Sequence, residues 1–586
     1  MLSDLPPLLL PAPRQFTVSG GKSTANEPRT IDSDIIAFPG DEAYHLAITA
    51  DDIVWSWRSE LGQRHAAATL AQLRVQYGDS LPCLVIDDAP VFAARGFMLD
   101  VSRDRVPTMQ HLYHVVDIMA GWKLNHLQLY TEHTFAYVGH EDVWRDASPI
   151  TPEEMRALDA YCRSRGIELA ANQNCFGHLA SWFKHAKYAP LAEIAPDGTW
   201  DFNGLVTRTG GFSLCPSDPR SLALVKDLLD QLLPNVASPL VNIGCDETFD
   251  IGQGRSRDEV AQRGRSAVYL DFVKQVCAAV KGHGKRPQFW ADIALEHPES
   301  LRELPDDLIC LAWGYEPDFD FARWCTQLGQ AGREVWVCPG TSCWRSITGR
   351  TSERRENLLV AARDGARHGA TGYLATAWGD LGHRQQWPIT LHALSEAAHR
   401  AWSGEAAYDP RVSSLHAFGD KSLEVGRWLD AYGDLDHDLR LIAGKPGNDG
   451  KVRPLRNASA LFVHQTTPFT APLSAMIQRD AATWRALLQR QELLIGLMPS
   501  VAEHLSHNRL VVNELEFMAN EVANTIMRAI IRCVPQTDLA VRKQAANIWR
   551  TSIKLYRALW LARSRPGGLD SSCRHYEQLA NDLDHN

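Results

Sequence analysis

Residues 240–247 read LVNIGCDE, an apolar run that stops at a glycine and then presents two acids. A short apolar run bounded this way reads as a strand buried on both faces, with polar groups gathered at its C-terminal end. The same grammar recurs on either side, at residues 96–101, 124–130, 167–171, 240–244, 287–290, 308–313, 335–338 and 373–377. Helical patterns separate the runs at 109–122, 152–165, 219–233, 266–281, 319–331 and 353–368, with 298–304 the weakest. Strands apolar on both faces and joined by helical crossovers must run parallel, and eight such units predict an α/β fold, a (β/α)8 TIM barrel, over residues 91–403. The stretch 176–218 then becomes an extended loop over the third strand.

The flanks differ in texture. Residues 1–90 predict a small N-terminal α/β domain, with strands at 43–48, 53–57 and 82–86 around a helix at 63–76, ended by Asp87-Asp88-Ala89-Pro90. After Trp402 the strand runs cease, so residues 404–586 predict a C-terminal α-helical domain. Within it Val511, Leu515, Met518, Val522, Ile526 and Ile530 share one apolar helix face. Residues 444–450, GKPGNDG, read as a loop, and the sequon at Asn457 means little in a cytosolic chain.

Composition narrows the function. Hydrophobic residues at 45% and charged residues at 22% exclude wholesale disorder. Sixty Lys and Arg against seventy Asp and Glu, with no long single-sign run, argue against nucleic acid or a membrane surface and for a neutral substrate. Twelve cysteines without a C-x-x-C pair signal neither a zinc ribbon nor a disulfide scaffold. The first residues lack a basic-then-apolar leader and no run approaches about 18 apolar residues, so a soluble cytoplasmic protein is expected.

In such a barrel the loops after the strands build the cleft. The strand ends carry Asp100 and Arg103, Glu132 and His133, Asn172 to Asn174, Asp246 and Glu247, Asp292, Trp313 and Tyr315, Thr341 and Trp344, and Trp378 and Asp380. A single tryptophan is ordinary core filler, but Trp290, Trp313, Trp344 and Trp378 all fall at or just beyond strand ends. Flat apolar faces beside hydrogen-bonding acids suit a sugar ring. Asp246 and Glu247 would be a solvated surface pair in most sequences; after an apolar strand and Gly244 they point into the cleft instead. Two adjacent carboxylates perturb each other, and a desolvated one can hold the proton a glycosidase gives its leaving group. HExxH, HxH, a nucleophile-elbow serine and a phosphate loop are all absent, and His133 and His178 stand isolated. Hydrolysis by carboxylates without metal or cofactor is expected, with a metal-dependent barrel hydrolase and a non-catalytic sugar-binding barrel as alternatives.

From about Tyr44 to Trp402 the chain resembles glycoside hydrolase family 20, the β-N-acetylhexosaminidases. The resemblance is carried by Arg95-Gly-Phe-Met-Leu-Asp-Val-Ser-Arg103, Phe176-Gly-His178, Ile243-Gly-Cys-Asp-Glu247 and Trp378-Gly-Asp380. It implies retaining, substrate-assisted removal of terminal β-linked GlcNAc, or GalNAc, through an oxazolinium ion. Glu247 would be the acid and base, and Asp246 the group that orients the acetamido arm. Arg103 would bind the 3- and 4-hydroxyls, His178 would stand near the acid, and Trp378 would floor the ring. Asp380 stands where the family usually has Glu, accepting from the 4- and 6-hydroxyls, and Trp290 and Trp313 would wall the acetamido pocket. Two departures stand out. AANQNCFGH replaces the usual acidic-Thr-Pro-Gly-His, and VCPGTSCWRS lacks the usual Tyr-x-Asp, leaving Tyr315 or Trp344 to meet the acetamido oxygen. With Tyr130-Thr-Glu132, which puts Glu132 among the expected sugar contacts, and the helical tail, these variants resemble an intracellular subgroup that often forms homodimers, which the apolar face at 511–530 would permit. The expected partner is an oligosaccharide or glycoconjugate ending in β-N-acetylhexosamine.

Overall fold

The computed structural model describes residues 2–442, 454–469, 480–534 and 536–585. Eight parallel strands close into a barrel: β1 (Ala94–Asp100), β2 (His126–Tyr130), β3 (Glu168–Asn172), β4 (Leu240–Asn242), β5 (Arg286–Trp290), β6 (Ile309–Trp313), β7 (Glu334–Cys338) and β8 (Gly372–Ala377). Sequential neighbours pair throughout and β8 returns to β1 over six registered pairs, Gly372 with Ala94 to Ala377 with Leu99. Both faces of nearly every strand are buried, which is why the runs are apolar without alternation. Amphipathic helices wrap the outside. Pro152–Ser164 begins with a capping box from Thr151 to Glu154, and Pro219–Leu232 is capped by Asp218.

β4 is shorter than its apolar run. Gly244 (φ +68°) and Cys245 (φ +76°) leave the extended region, so the chain turns before the acids. The stretch 176–218 is more ordered than an extended loop. It contains a short helix, Ala180–Phe183, and an antiparallel hairpin, Thr199–Phe202 with Val206–Thr209, whose Trp200 and Phe202 bury against Phe212 and Ile194.

The N-terminal sheet has five strands, in the order Gln15–Lys22, Pro82–Asp88, Tyr44–Ile48, Ile53–Trp57 and Pro28–Thr30, with the helix Glu60–Tyr77 packed on it. The two outer strands escape the sequence pattern because Gln15–Lys22 is exposed along its whole length and Pro28–Thr30 spans three residues. Two buried ionic contacts join this sheet to the barrel. Arg95 donates to Glu42 Oε1 (3.0 Å) and Lys123 to Asp88 (2.9 Å), while Trp402 lies under both cations and donates its indole N–H to Asp88 (2.9 Å).

The remaining described elements are helical, the longest being Arg509–Cys533 and Leu539–Arg563. The apolar face of Arg509–Cys533 is spent inside the chain: Val511, Leu515, Met518, Val522 and Ile526 are at most 3% exposed. Those five are thus taken up within the chain, with Ile530 partly buried against the same core, so this face gives the expected homodimer no separate support. The GKPGNDG segment lies outside the described residues. The turn after Leu539–Arg563 packs against the loops that follow β1 and β2: Thr108 N–H donates to Arg563 O (2.9 Å), Arg565 N–H to Val106 O (2.8 Å) and Gly567 N–H to Ser148 Oγ (2.9 Å). Among the described residues no helix is long and apolar enough to cross a membrane.

Candidate active site

The acids after β4 are aimed by a strained turn. A Cβ on Gly244 would sit 1.7 Å from Asn174 Oδ1, so only glycine fits where β3 and β4 end side by side. Tyr269 donates its hydroxyl to Cys245 O (2.9 Å), pinning the turn from behind. Glu247 (φ +53°) and His178 (φ +59°) both sit in the left-handed region, which costs roughly 1–3 kcal/mol each and persists only where the surroundings enforce it. The enforcement is visible: Glu247 N–H donates to Asp292 Oδ2 (3.0 Å), and Gly177 packs so closely on the Asp246 carbonyl that a Cβ would be 2.7 Å from it.

His178 Nε2 donates to Asp246 Oδ2 (3.1 Å) and stands 3.5 Å from Glu247 Oε2. Burial pushes this imidazole down, but Asp246 and Glu247 outweigh it and lift it to about 9, so it is an imidazolium at neutral pH. The Glu247 carboxyl is raised, chiefly by burial and further by the Asp246 charge, against the pull of His178. Asp292, partly buried, is pushed well above the usual carboxylate range by desolvation and by the Asp246 charge, and its Oδ1 accepts from the Trp313 indole (3.2 Å). Asp246 Oδ1 is buried and has no hydrogen-bond partner among the described residues. A raised acid thus stands beside a second carboxylate with a free acceptor, backed by a cation.

The cleft holds about 370 Å³ and is lined by Arg103, His178, Asp246, Glu247, Trp290, Trp313, Tyr315, Trp344, Trp378 and Asp380 among others. Its floor is aromatic: Trp313 stacks on Tyr315 (5.3 Å), Trp344 meets Tyr315 edge-on (5.0 Å), and Trp378 donates its indole N–H to Tyr315 Oη (2.8 Å). Trp290 Nε1 is buried without a partner among the described residues. Arg103 is locked by Asp100 (2.9 Å) and Glu132 (3.0 Å) and lies over the rings of Tyr130 (4.6 Å) and Trp378 (5.2 Å).

Two expected residues stand elsewhere. Glu132 is not on the cleft wall; it backs Arg103 and accepts from Tyr130 Oη (2.9 Å), because β2 buries every side chain up to its end. His133 points away into a separate polar cavity with Lys184 and Arg574. The asparagines at and just after the end of β3 bond elsewhere than to His178. Asn174 donates to Tyr130 Oη (2.6 Å) and Asn172 to Gln128 Oε1 (2.9 Å), while His178 Nδ1 lies 3.4 Å from Arg103 and 3.7 Å from Glu132.

The structure adds wall residues with no sequence signal: Phe202, Leu205 and Arg208 from the hairpin, Glu316 after β6, Arg345 after β7, and Asn457 from beyond the barrel. Asn457 donates to Glu316 Oε1 (3.2 Å). Among the described residues there is no group of three His, Cys, Asp or Glu that could hold a metal ion.

Residues 92–351 match the catalytic domain of glycosyl hydrolase family 20. A beta-hexosaminidase of Akkermansia muciniphila is 27% identical over 289 residues, 44% of this chain and 57% of its own length. This chain spans about half the length of the curated relatives it matches. A crystal structure of a beta-N-acetylhexosaminidase aligns at TM-score 0.57 and 20% identity, over 72% of this chain and 95% of that one. The Flavobacterium johnsoniae chitobiase aligns at TM-score 0.57 and 17% identity over 92% and 95%. At these identities the structural likeness speaks for the fold.

Proposed function

We propose, from the match of residues 92–351 to the catalytic domain of glycosyl hydrolase family 20, that the protein is a retaining exo-β-N-acetylhexosaminidase that removes terminal β-linked GlcNAc, or GalNAc, through an oxazolinium intermediate. The observation that carries this reading is the Asp246, His178 and Glu247 cluster: one raised acid, and one buried carboxylate oxygen without a partner, over an aromatic floor. In the first step the substrate's own acetamido oxygen attacks the anomeric carbon. Glu247 gives its proton to the departing oxygen, and Asp246 Oδ1 accepts from the acetamido N–H and steadies the positive ring that forms. Placing the nucleophile within the substrate supplies effective molarity. In the second step Glu247, now a carboxylate, takes a proton from water as the ring opens. Arg103, held rigid by Asp100 and Glu132, is assigned to the sugar hydroxyls, Trp378 to the face of the ring, and Asp380 to the outer hydroxyls. Tyr315, in the centre of the aromatic cluster, is assigned to the acetamido oxygen.

The test is a panel of aryl β-glycosides with and without the 2-acetamido group, assayed with and without a thiazoline mimic of the intermediate. We expect turnover confined to acetamido substrates and blocked by the thiazoline. Equal turnover of plain glucosides would overturn the mechanism, and loss of activity on chelation would favour a metal-dependent hydrolase.

A further inference from the structure

Two cleft arginines are left over once the cluster above is assembled. Arg208, from the hairpin, lies 3.8 Å from the Phe202 ring centroid and has no carboxylate partner within ion-pair distance among the described residues. Arg345, just after Trp344, likewise makes no ion pair there, and its Nε is buried without a hydrogen-bond partner. The third cleft arginine, Arg103, is spent on Asp100 and Glu132. Of the acids on the wall, Asp246 and Glu247 face His178, and Glu316 is taken up by Asn457 and by the Tyr315 amide (3.3 Å). The charges of Glu247, Asp250 and Asp380 reach Arg208, Glu247 foremost, and that of Asp380 reaches Arg345, but among the described residues no carboxylate forms an ion pair with either. Burial works against the charged form of Arg208 and Arg345 alike, so two guanidiniums are held partly desolvated, with carboxylates nearby but none paired to them.

We propose that the cleft takes an N-acetylhexosaminide bearing an anionic group, a sulfate, phosphate or carboxylate, which Arg208 and Arg345 bind. The planar fork of a guanidinium matches such oxyanions, and a half-enclosed site strengthens the contact relative to water. The proposal rests on the hexosaminidase reading for the sugar and extends it to what the sugar or its aglycone carries. It departs from the expectation of a neutral substrate drawn from overall charge, because a net charge of −10 spread over the chain says nothing of a local pair of cations.

The experiment compares three substrates: a nitrophenyl N-acetyl-β-glucosaminide, its 6-O-sulfate, and an aryl analogue with a carboxylate on the aglycone. Each is assayed at low and high salt with the parent protein, Arg208→Gln and Arg345→Gln. We expect one anionic substrate to exceed the neutral one in kcat/KM by about tenfold at low salt, and either substitution to return that ratio toward one. The sulfate arm and the carboxylate arm tell whether the charge belongs to the sugar or to the aglycone. Calorimetric binding of the same three glycosides to Glu247→Gln repeats the comparison without turnover. Ratios of one or below in both anionic arms, or ratios unmoved by both substitutions, overturn the proposal. Turnover without anionic preference sinks this proposal alone, whereas anionic preference in binding without turnover of any substrate sinks the hexosaminidase reading and leaves this one standing.

Discussion

Glu247 and Asp246 are neighbours in sequence to which the proposed reaction gives opposite tasks, and their surroundings differ accordingly. Glu247→Gln removes the proton donor, so kcat/KM should fall by about 10²–10⁴ on a glycoside with a poor leaving group and far less on a nitrophenyl one. Asp246→Ala should cost acetamido substrates selectively. Parent-like rates for both variants would end the assignment. His178 gives a sharper test. Its positive charge favours the ionised form of Glu247, so His178→Gln should raise the Glu247 pKa further and move the alkaline limb of the kcat/KM profile to higher pH while the maximum falls. A limb that stays in place would show that the imidazolium does not act on the acid. These residues were legible because apolar runs end in acids. Asp292 was visible as a strand-end residue, but its grip on the Glu247 amide was not, since a hydrogen bond across two strands leaves no local trace.

Among the elements, β4 and the hairpin mark the two limits of reading. The Gly244-Cys245 turn follows from glycine before a polar pair, and its severity appears only in the contact with Asn174. Gly244→Ala should lower unfolding free energy by about 2–4 kcal/mol, from left-handed backbone plus overpacking, and cut activity with it. A denaturation midpoint within error of the parent would show that the turn relaxes freely. The hairpin at Thr199–Phe202 and Val206–Thr209 escaped because its strands are four residues each and partly exposed, so alternation is too brief to register. The cost of missing it was functional: Arg208 and Leu205 reach the cleft only through it.

At the scale of the whole molecule, the eight-fold alternation was legible because each crossover repeats one physical problem, a strand apolar on both faces needing a helical cover. The contacts between layers were not, because partners such as Glu42 and Arg95 are far apart in the chain. Burial pushes Glu42 up, but the hydrogen bond from His65 and the charge of Arg95 hold it at about 2. A carboxyl depressed from its usual 4.3 contributes about 3 kcal/mol that is fully present above that value and is lost as pH falls toward 2. His65, which burial lowers to about 4 against the pull of Glu42, adds a loss of the same sign as pH falls from 6.5 to 4. Thermal stability should therefore decline from neutral to acid pH. Glu42→Gln, which strands the enclosed Arg95 charge, should cost about 3–5 kcal/mol at neutral pH and flatten the acid decline. An unchanged melting profile would remove this contact from the account.

The turn that Arg563, Arg565 and Gly567 pin to the loops after β1 and β2 leads further. At its end Gly568 is wedged so tightly on the backbone of Asp104 that a side-chain carbon would lie 2.0 Å from that carbonyl oxygen, one residue from Arg103. Grafting this barrel onto a foreign tail would thus strip the loop that carries Arg103 of its buttress, and a chimera that kept every cleft residue would still inherit a looser hand.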